Sequence, residues 1–198
     1  MANNKTSYNN IARQWSDKRK DSFVSRLVLD FADKTKSKGH ILDLGCGTGF
    51  PLAKYLSDRG FSVTGLDFSD EMIAIAKGSV IEGVDFVVND FFDFATKEKF
   101  DGILAWDSLW HFPKDKQKSI YAKMNTLLNA DGYLLFTHGK TDGEHVDTMM
   151  GESFYYSALS EQDLYKQLRE NGFEIEYAHH DFIENDSHRA FVVLAKKM

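Results

Sequence analysis

Apolar positions along the chain follow two alternating rhythms. Short runs dense in Ile, Leu, Val and Phe read as strands at 40–44, 62–66, 84–88, 102–106, 133–137, 173–178 and 190–195. Between them, apolar residues recur every three or four positions and predict helices over 51–59, 70–77, 114–128 and 160–171. The ends agree with these bounds. Ser69 stands where an N-cap is needed, Ser160 and Asp163 have capping-box spacing, and Gly172 follows the last helix. The only prolines, Pro51 and Pro113, each fall at a helix start.

Strands separated by helices argue for a parallel sheet covered on both faces. The last two strands are joined only by a short polar stretch, 179–189, and should therefore be antiparallel. The expected fold class is α/β, a three-layer sandwich around a seven-stranded, mostly parallel sheet. Its 198 residues suit one domain, 1–198. Within it, 1–38 form a helical cover, and 139–159 form a connection longer than usual. Links of that length are often functional, which makes it a candidate lid.

Composition mainly excludes. Hydrophobic residues make up 42% and charged residues 27%, ordinary values for a globular chain. A net charge of -6 disfavours long nucleic acid, although Lys18, Arg19 and Lys20 form a local basic patch. No apolar run approaches the roughly 18 residues of a membrane span, and the first ten residues lack the apolar core of a signal peptide. The single cysteine, Cys46, precludes an intrachain disulfide, so the expected compartment is the cytoplasm.

Residues 41–49 read Ile-Leu-Asp-Leu-Gly-Cys-Gly-Thr-Gly, a strand running into three alternating glycines before a helix. Glycines there allow positive φ and close approach of a ligand to the backbone, and free N–H groups at the helix start favour an electron-rich group. A dinucleotide site needs a small residue five places past its first glycine. Counting from Gly45 reaches Phe50 and from Gly47 reaches Leu52, so that pattern fails twice. A phosphate loop would need Gly-Lys-Ser/Thr and is absent. Asp67 ends the second strand 22 positions past Gly45, where nucleoside sites place a carboxylate for the ribose hydroxyls. The third strand runs into Asn89-Asp90-Phe91, where Asp90 can accept from an adenine amino group beside Phe91.

These residues resemble the class I methyltransferases that use S-adenosylmethionine (SAM). Residues 41–49 look like that family's first motif, Asp67 like its ribose acid and Asp90-Phe91 like its adenine-edge motif, and the resemblance covers nearly the whole chain. It implies a Rossmann-like sheet of order 3-2-1-4-5-7-6 with SAM, or its product S-adenosylhomocysteine (SAH), across the carboxyl ends of the first strands. It also implies that Asp43 and the backbone of Gly45, Cys46, Gly47 and Gly49 hold the methionine part, without a metal. Phe68, Met72, Ala105 and Trp106 join the implied cofactor contacts. Residues 8–15, Tyr-Asn-Asn-Ile-Ala-Arg-Gln-Trp, are similar to the family's cover helix, with Asn9 for its Asp and Trp15 for its Tyr; Tyr8 and Trp15 are the implied contacts.

The acceptor side is read from the sheet edge. Carboxyl ends of parallel strands share one edge, and ligands bind there. His111 and His138 follow the fourth and fifth strands, and the final hairpin turns at the same edge with His179, His180 and His188. His188, then His111, is the expected acid–base residue, since imidazole titrates near neutrality. Trp110, His138, Tyr155 and Tyr156 are expected to wall an aromatic acceptor pocket with Trp106. The lone Cys46 lies in the cofactor loop and is not a nucleophile of the covalent-adduct type. After the fourth strand stands Trp106-Asp107-Ser108-Leu109-Trp110-His111, not the Asn/Asp-Pro-Pro-Tyr turn of enzymes that methylate amino groups of DNA or protein glutamine. The expectation is a small-molecule acceptor. The alternatives are a protein or RNA methyltransferase acting with a partner, and a SAM-binding module without turnover.

Overall fold

A computed structural model describes residues 3–198; Met1 and Ala2, the start of the expected helical cover, lie outside the described residues. Two helices come first, α1 (Asn4–Arg19) and α2 (Arg26–Lys34). The alternating part follows as β1 (His40–Leu44), α3 (Leu52–Asp58), β2 (Ser62–Asp67), α4 (Asp70–Gly78), β3 (Val84–Val88), β4 (Phe100–Ala105), α5 (Gln117–Leu127) and β5 (Leu128–His138). The chain ends with β6 (Gly143–Met149), β7 (Glu152–Ala158), α6 (Glu161–Glu170), β8 (Phe173–Glu184) and β9 (Ser187–Lys197). Side chains of Asn3, Ser25, Ser69 and Ser160 cap α1, α2, α4 and α6, each accepting from a backbone N–H of the first turn.

The seven-stranded sheet has the order β3-β2-β1-β4-β5-β9-β8. Strands β1 to β5 pair in parallel, and β9 is antiparallel to both neighbours. With β6 and β7 set aside in their own ribbon, this is the expected order. Alternate β-strand side chains bury on opposite faces. Phe100, Tyr121, Phe136 and Phe191 fill the core under α5 and α6, while Val28, Phe31, Leu56 and Ile73 fill the other under α2 to α4. Among the described residues no helix is long and apolar enough to cross a membrane.

Two expectations need correction. The stretch 179–189 is not a loop: β8 and β9 extend through it to a two-residue turn, Asn185-Asp186, with φ of 45° and 62°. Positive φ at both central residues matches the twist of a tight hairpin, and Asn and Asp tolerate it best after glycine. The stretch 139–159 is not irregular either. β6 and β7 form an antiparallel ribbon in register from Gly143↔Ala158 to Met149↔Glu152. Most of β6 is exposed on both faces, so no alternation marked it, and its order comes from pairing with β7. Phe154 of β7 is fully buried against Ile11, Ala12 and Met72, which joins the ribbon to α1 and α4.

Candidate active site

The glycine turn is built by close contacts. Gly45 and Gly49 have φ of 79° and 80°; a Cβ at Gly45 would lie 2.5 Å from Ser108 Cβ, and one at Gly49 2.6 Å from the Phe86 ring. The amides of Gly45 and Cys46 donate to the Leu66 carbonyl, locking the turn onto β2. Asp67 completes the lock: Oδ2 accepts from Gly47 N at 2.9 Å and Oδ1 from Ser69 N at 2.8 Å. The carboxylate expected to meet a ribose therefore also joins the glycine loop to the start of α4. Burial pushes Asp67 up to about 6. Asp43, 3% exposed, is pushed up to about 7 by burial first and by the charge of Asp67 second. Two desolvated carboxyls beside one cleft favour a ligand carrying hydrogen-bond donors and positive charge.

Two connected clefts open at the carboxyl edge of the sheet. One, of about 740 Å³, is lined by Asp67, Phe68, Asp90, Phe91, Phe112 and Tyr155. The other is lined by Tyr8, Trp15, Arg19, Asp43, Cys46, Gly47, Met72 and Trp106. They share Gly45, Asp67, Phe68, Ser108 and His111. The first is within the range of small-ligand sites. The sequence-derived cofactor residues thus converge, apart from Gly49, which packs on Phe86, and Ala105, which is wholly buried within β4. Asn4 and Ser108 line the site without having been singled out.

His111 sits between the clefts as the centre of a hydrogen-bond knot. Its Nδ1 is 3.0 Å from the Tyr155 carbonyl, and its Nε2 is 2.7 Å from Tyr8 Oη and 3.2 Å from Trp110 Nε1. An indole N–H only donates, so Nε2 is the acceptor and Nδ1 carries the proton that goes to Tyr155. Burial pushes this imidazole down to about 4, which makes it neutral at pH 7 with its lone pair engaged. Tyr8 is buried too, which raises its hydroxyl far above the usual range. Asn4 strengthens the knot, donating to the Tyr155 carbonyl at 2.9 Å and accepting from the Tyr155 amide at 2.8 Å. Ser7 donates to the Ser153 carbonyl at 2.7 Å. The cover helix and the ribbon are thereby clasped over the clefts.

The remaining acceptor-side residues fall elsewhere. His188 points away, more than half exposed, with Nε2 3.5 Å from Asp181. In β9 it pairs with the exposed Ile183, whereas its neighbour Arg189 pairs with the buried Phe182. Side chains of a strand alternate between faces, so extending the hairpin through 187–189 sends Arg189 inward and His188 outward. His138 is fully buried, donates from Nδ1 to the Gly139 carbonyl and accepts from Leu159 N, and does not line the clefts. Trp110 and Tyr156 flank His111 from behind, Tyr156 stacking on His145. His180 stacks on Phe191, and His179 packs beside Tyr177 and Phe182. The final hairpin and the fourth-strand turn do meet, through Arg189: Nε and Nη2 donate to the Asp107 carboxylate at 2.9 and 2.8 Å. Asp107 takes φ of 56°, an uncommon conformation for a residue with a Cβ.

A glycine turn after β1, carboxyls at the ends of β1, β2 and β3, and a clasped cover define a known family. A family model described as a methyltransferase domain matches residues 16–178. The chain belongs to this methyltransferase family. It is 29% identical over 178 residues to an uncharacterized methyltransferase of Staphylococcus carnosus, covering 86% of this chain and 76% of that one. An uncharacterized methyltransferase of Bacillus cytotoxicus is 29% identical over 143 residues; the alignment spans 66% of each chain, just under two thirds of that relative's length. The fold matches a SAM-dependent methyltransferase of Methanosarcina mazei with a TM-score of 0.74 at 20% identity, covering 89% of this chain and 99% of that one. It also matches 1,6-didemethyltoxoflavin-N1-methyltransferase of Burkholderia thailandensis, solved with 1,6-didemethyltoxoflavin and SAH. That TM-score is 0.72 at 20% identity, with 98% of this chain and 86% of that one covered.

Proposed function

We propose that this methyltransferase draws its methyl group from SAM and transfers it to a small organic acceptor. The observation that carries the reading is the placement of Asp43, Asp67 and Asp90 along two connected clefts beside the glycine turn, with Asp67 lining both. The fit is physical. Asp43 and Asp67 are desolvated carboxyls that a cationic, hydroxyl-bearing ligand relieves, and a Cβ at Gly45 would close the turn against Ser108. SAM, when bound, supplies a methyl group already activated on a sulfonium. This chain supplies the rest. Asp90 with Phe91, then Asp67, then Asp43 with the glycine-loop amides take the nucleoside and amino-acid ends in that order along the edge. Tyr8, Trp15 and the ribbon exclude water, and alignment of the acceptor by the β4 turn supplies several kcal/mol, up to roughly 7–11, of the barrier reduction.

Within this reading His111 is a positioning residue, neutral and committed to Tyr8 and Tyr155, rather than the general base. A small acceptor is supported by the enclosed aromatic site and by the acceptor named for the Burkholderia thailandensis enzyme. The reading keeps the chain in the cytoplasm, in accord with a single, buried, unpaired cysteine. Calorimetry with SAM, SAH and NAD tests the cofactor: micromolar binding of the first two without the third is expected, and NAD binding without SAM would overturn the reading. Labelled SAM incubated with small-metabolite pools is expected to yield SAH and a low-mass methylated product. Label found only in protein or RNA would overturn the acceptor class.

A further inference from the structure

Beside the cleft that holds Asp43 and Trp106 lies a third, smaller pocket that the methyl-transfer reading does not use. It is lined by Arg19, Arg189, Trp106, Ser22, Ser25 and Ser187, among others, and adjoins the cleft through Arg19, Pro51, Leu52 and Trp106. Arg189 is 8% exposed. Its bidentate pairing with Asp107 uses Nε and Nη2 and leaves Nη1 buried with no partner among the described residues. A guanidinium cannot shed its charge to relieve that loss, so the free edge calls for an acceptor. Arg19 flanks the same Asp107 carboxylate at 3.9 Å, which places two guanidinium charges around one carboxylate. Each guanidinium also lies over an indole, Arg19 over Trp15 at 4.4 Å and Arg189 over Trp106 at 4.5 Å. Such stacking holds the planar groups in place; with the Nε/Nη2 edge of Arg189 taken by Asp107, its unpartnered Nη1 and the guanidinium of Arg19 remain to recognise an anion. The nearby acid on the hairpin, Glu184, accepts from Arg26 N at 3.0 Å and does not line the pocket.

We infer that this pocket takes a carboxylate of the methyl acceptor, so that the enzyme acts on small organic acids, with Arg189 as the residue that selects the charge. The inference rests on the SAM-dependent reading above. The acceptor's carboxylate enters between Arg19 and the unpartnered Nη1 of Arg189, and its body extends past the edge of Trp106 toward the shared cleft. Asp107 holds the fork of Arg189 and, through it, ties the strained β4 turn to the acceptor's position.

The test uses the full chain saturated with SAH and titrated with benzoate, its uncharged isostere benzamide, and phenyl phosphate, followed by calorimetry and tryptophan fluorescence. Benzoate is expected to bind at least tenfold more tightly than benzamide. Arg189→Gln is expected to erase that preference while SAH affinity stays within threefold. Should that variant fail to fold because Asp107 is left unpaired, the double variant Asp107→Asn/Arg189→Gln is expected to show the same loss of preference. Equal binding of benzoate and benzamide overturns the inference. So does an Arg189 variant that loses SAH yet keeps the benzoate preference, which would give the guanidinium to the cofactor's own carboxylate. Phenyl phosphate binding in place of benzoate overturns the carboxylate assignment. If SAH fails to bind the unmutated chain, it is the cofactor reading that falls, and the benzoate preference is then read on the ligand-free protein.

Discussion

Replacing Asp67 by Ala separates two roles that the structure gives one carboxylate. For binding, the variant removes the acceptor expected to meet the ribose hydroxyls. Charge-assisted hydrogen bonds of that kind contribute about 1.5–3 kcal/mol, so SAH should bind roughly 10- to 150-fold more weakly. For stability, two effects oppose each other. The amides of Gly47 and Ser69 lose their partner, at about 1–3 kcal/mol each. Against this, an Asp raised from 3.8 to about 6 by burial makes the ionised folded chain less stable by about 3 kcal/mol, and the variant sheds that penalty. The net loss at pH 7 should stay below about 3 kcal/mol, leaving a folded protein. The sign with pH is distinctive. Between pH 4 and 6 the folded carboxyl holds a proton that the unfolded one has lost, so the carboxyl's contribution to stability falls as pH rises through that window and is level above it. Denaturant unfolding of both proteins at pH 4 and pH 7 isolates the contribution: the wild type should gain about 2 kcal/mol over the variant on going to the lower pH, because the unfolded carboxyl is still partly ionised at pH 4. Calorimetry reads the SAH affinity of the folded variant. An affinity within threefold of wild type would assign the ribose elsewhere. A stability difference independent of pH would refute the burial argument.

Three further outcomes are expected. If Asp43, raised to about 7 by burial, meets the cofactor's ammonium, SAH binding should release protons and tighten up to tenfold from pH 6 to 8, levelling above that. Titrations in buffers of different ionisation enthalpy read the proton count, and an affinity constant from pH 6 to 8 would sink the assignment. Asn4→Ala removes both side-chain bonds to Tyr155, about 1 kcal/mol each, and should unclasp the ribbon. Hydrogen exchange at the Tyr155 amide should quicken and SAH should dissociate several-fold faster, whereas unchanged exchange would show that the packing of Phe154 and the Ser7 bond hold the ribbon without Asn4. His188→Ala should leave SAH affinity and turnover within twofold, since the ring is exposed and paired with Asp181 alone among the described residues; a larger loss of turnover would return His188 to the site.

What the sequence determined by itself is local and periodic. Strand and helix runs, the caps at Ser69 and Ser160, and the turn at Gly45 to Gly49 depend on neighbours a few residues apart, where side-chain spacing and backbone permissiveness decide the outcome. The order of the sheet follows from those elements because right-handed crossovers and short connections leave few alternatives. The cofactor edge was legible for the same reason: Asp67 ends its strand, Asp43 and Asp90 lie within two residues of the ends of theirs, and parallel strands end together. The acceptor side depended on tertiary structure. A two-residue turn at Asn185-Asp186 lengthened the final hairpin, and the period-two alternation of its strands then chose Arg189 over His188 as the inward residue. The ribbon of β6 and β7 has almost no apolar alternation of its own and is held by Phe154 and by the side chain of Asn4, 151 positions from Tyr155. Pairings across such distances leave no period in the chain. They arise when the buried donors and acceptors of His111, Tyr8, Asn4 and Tyr155 must find partners away from water, and only the folded arrangement determines which partners those are.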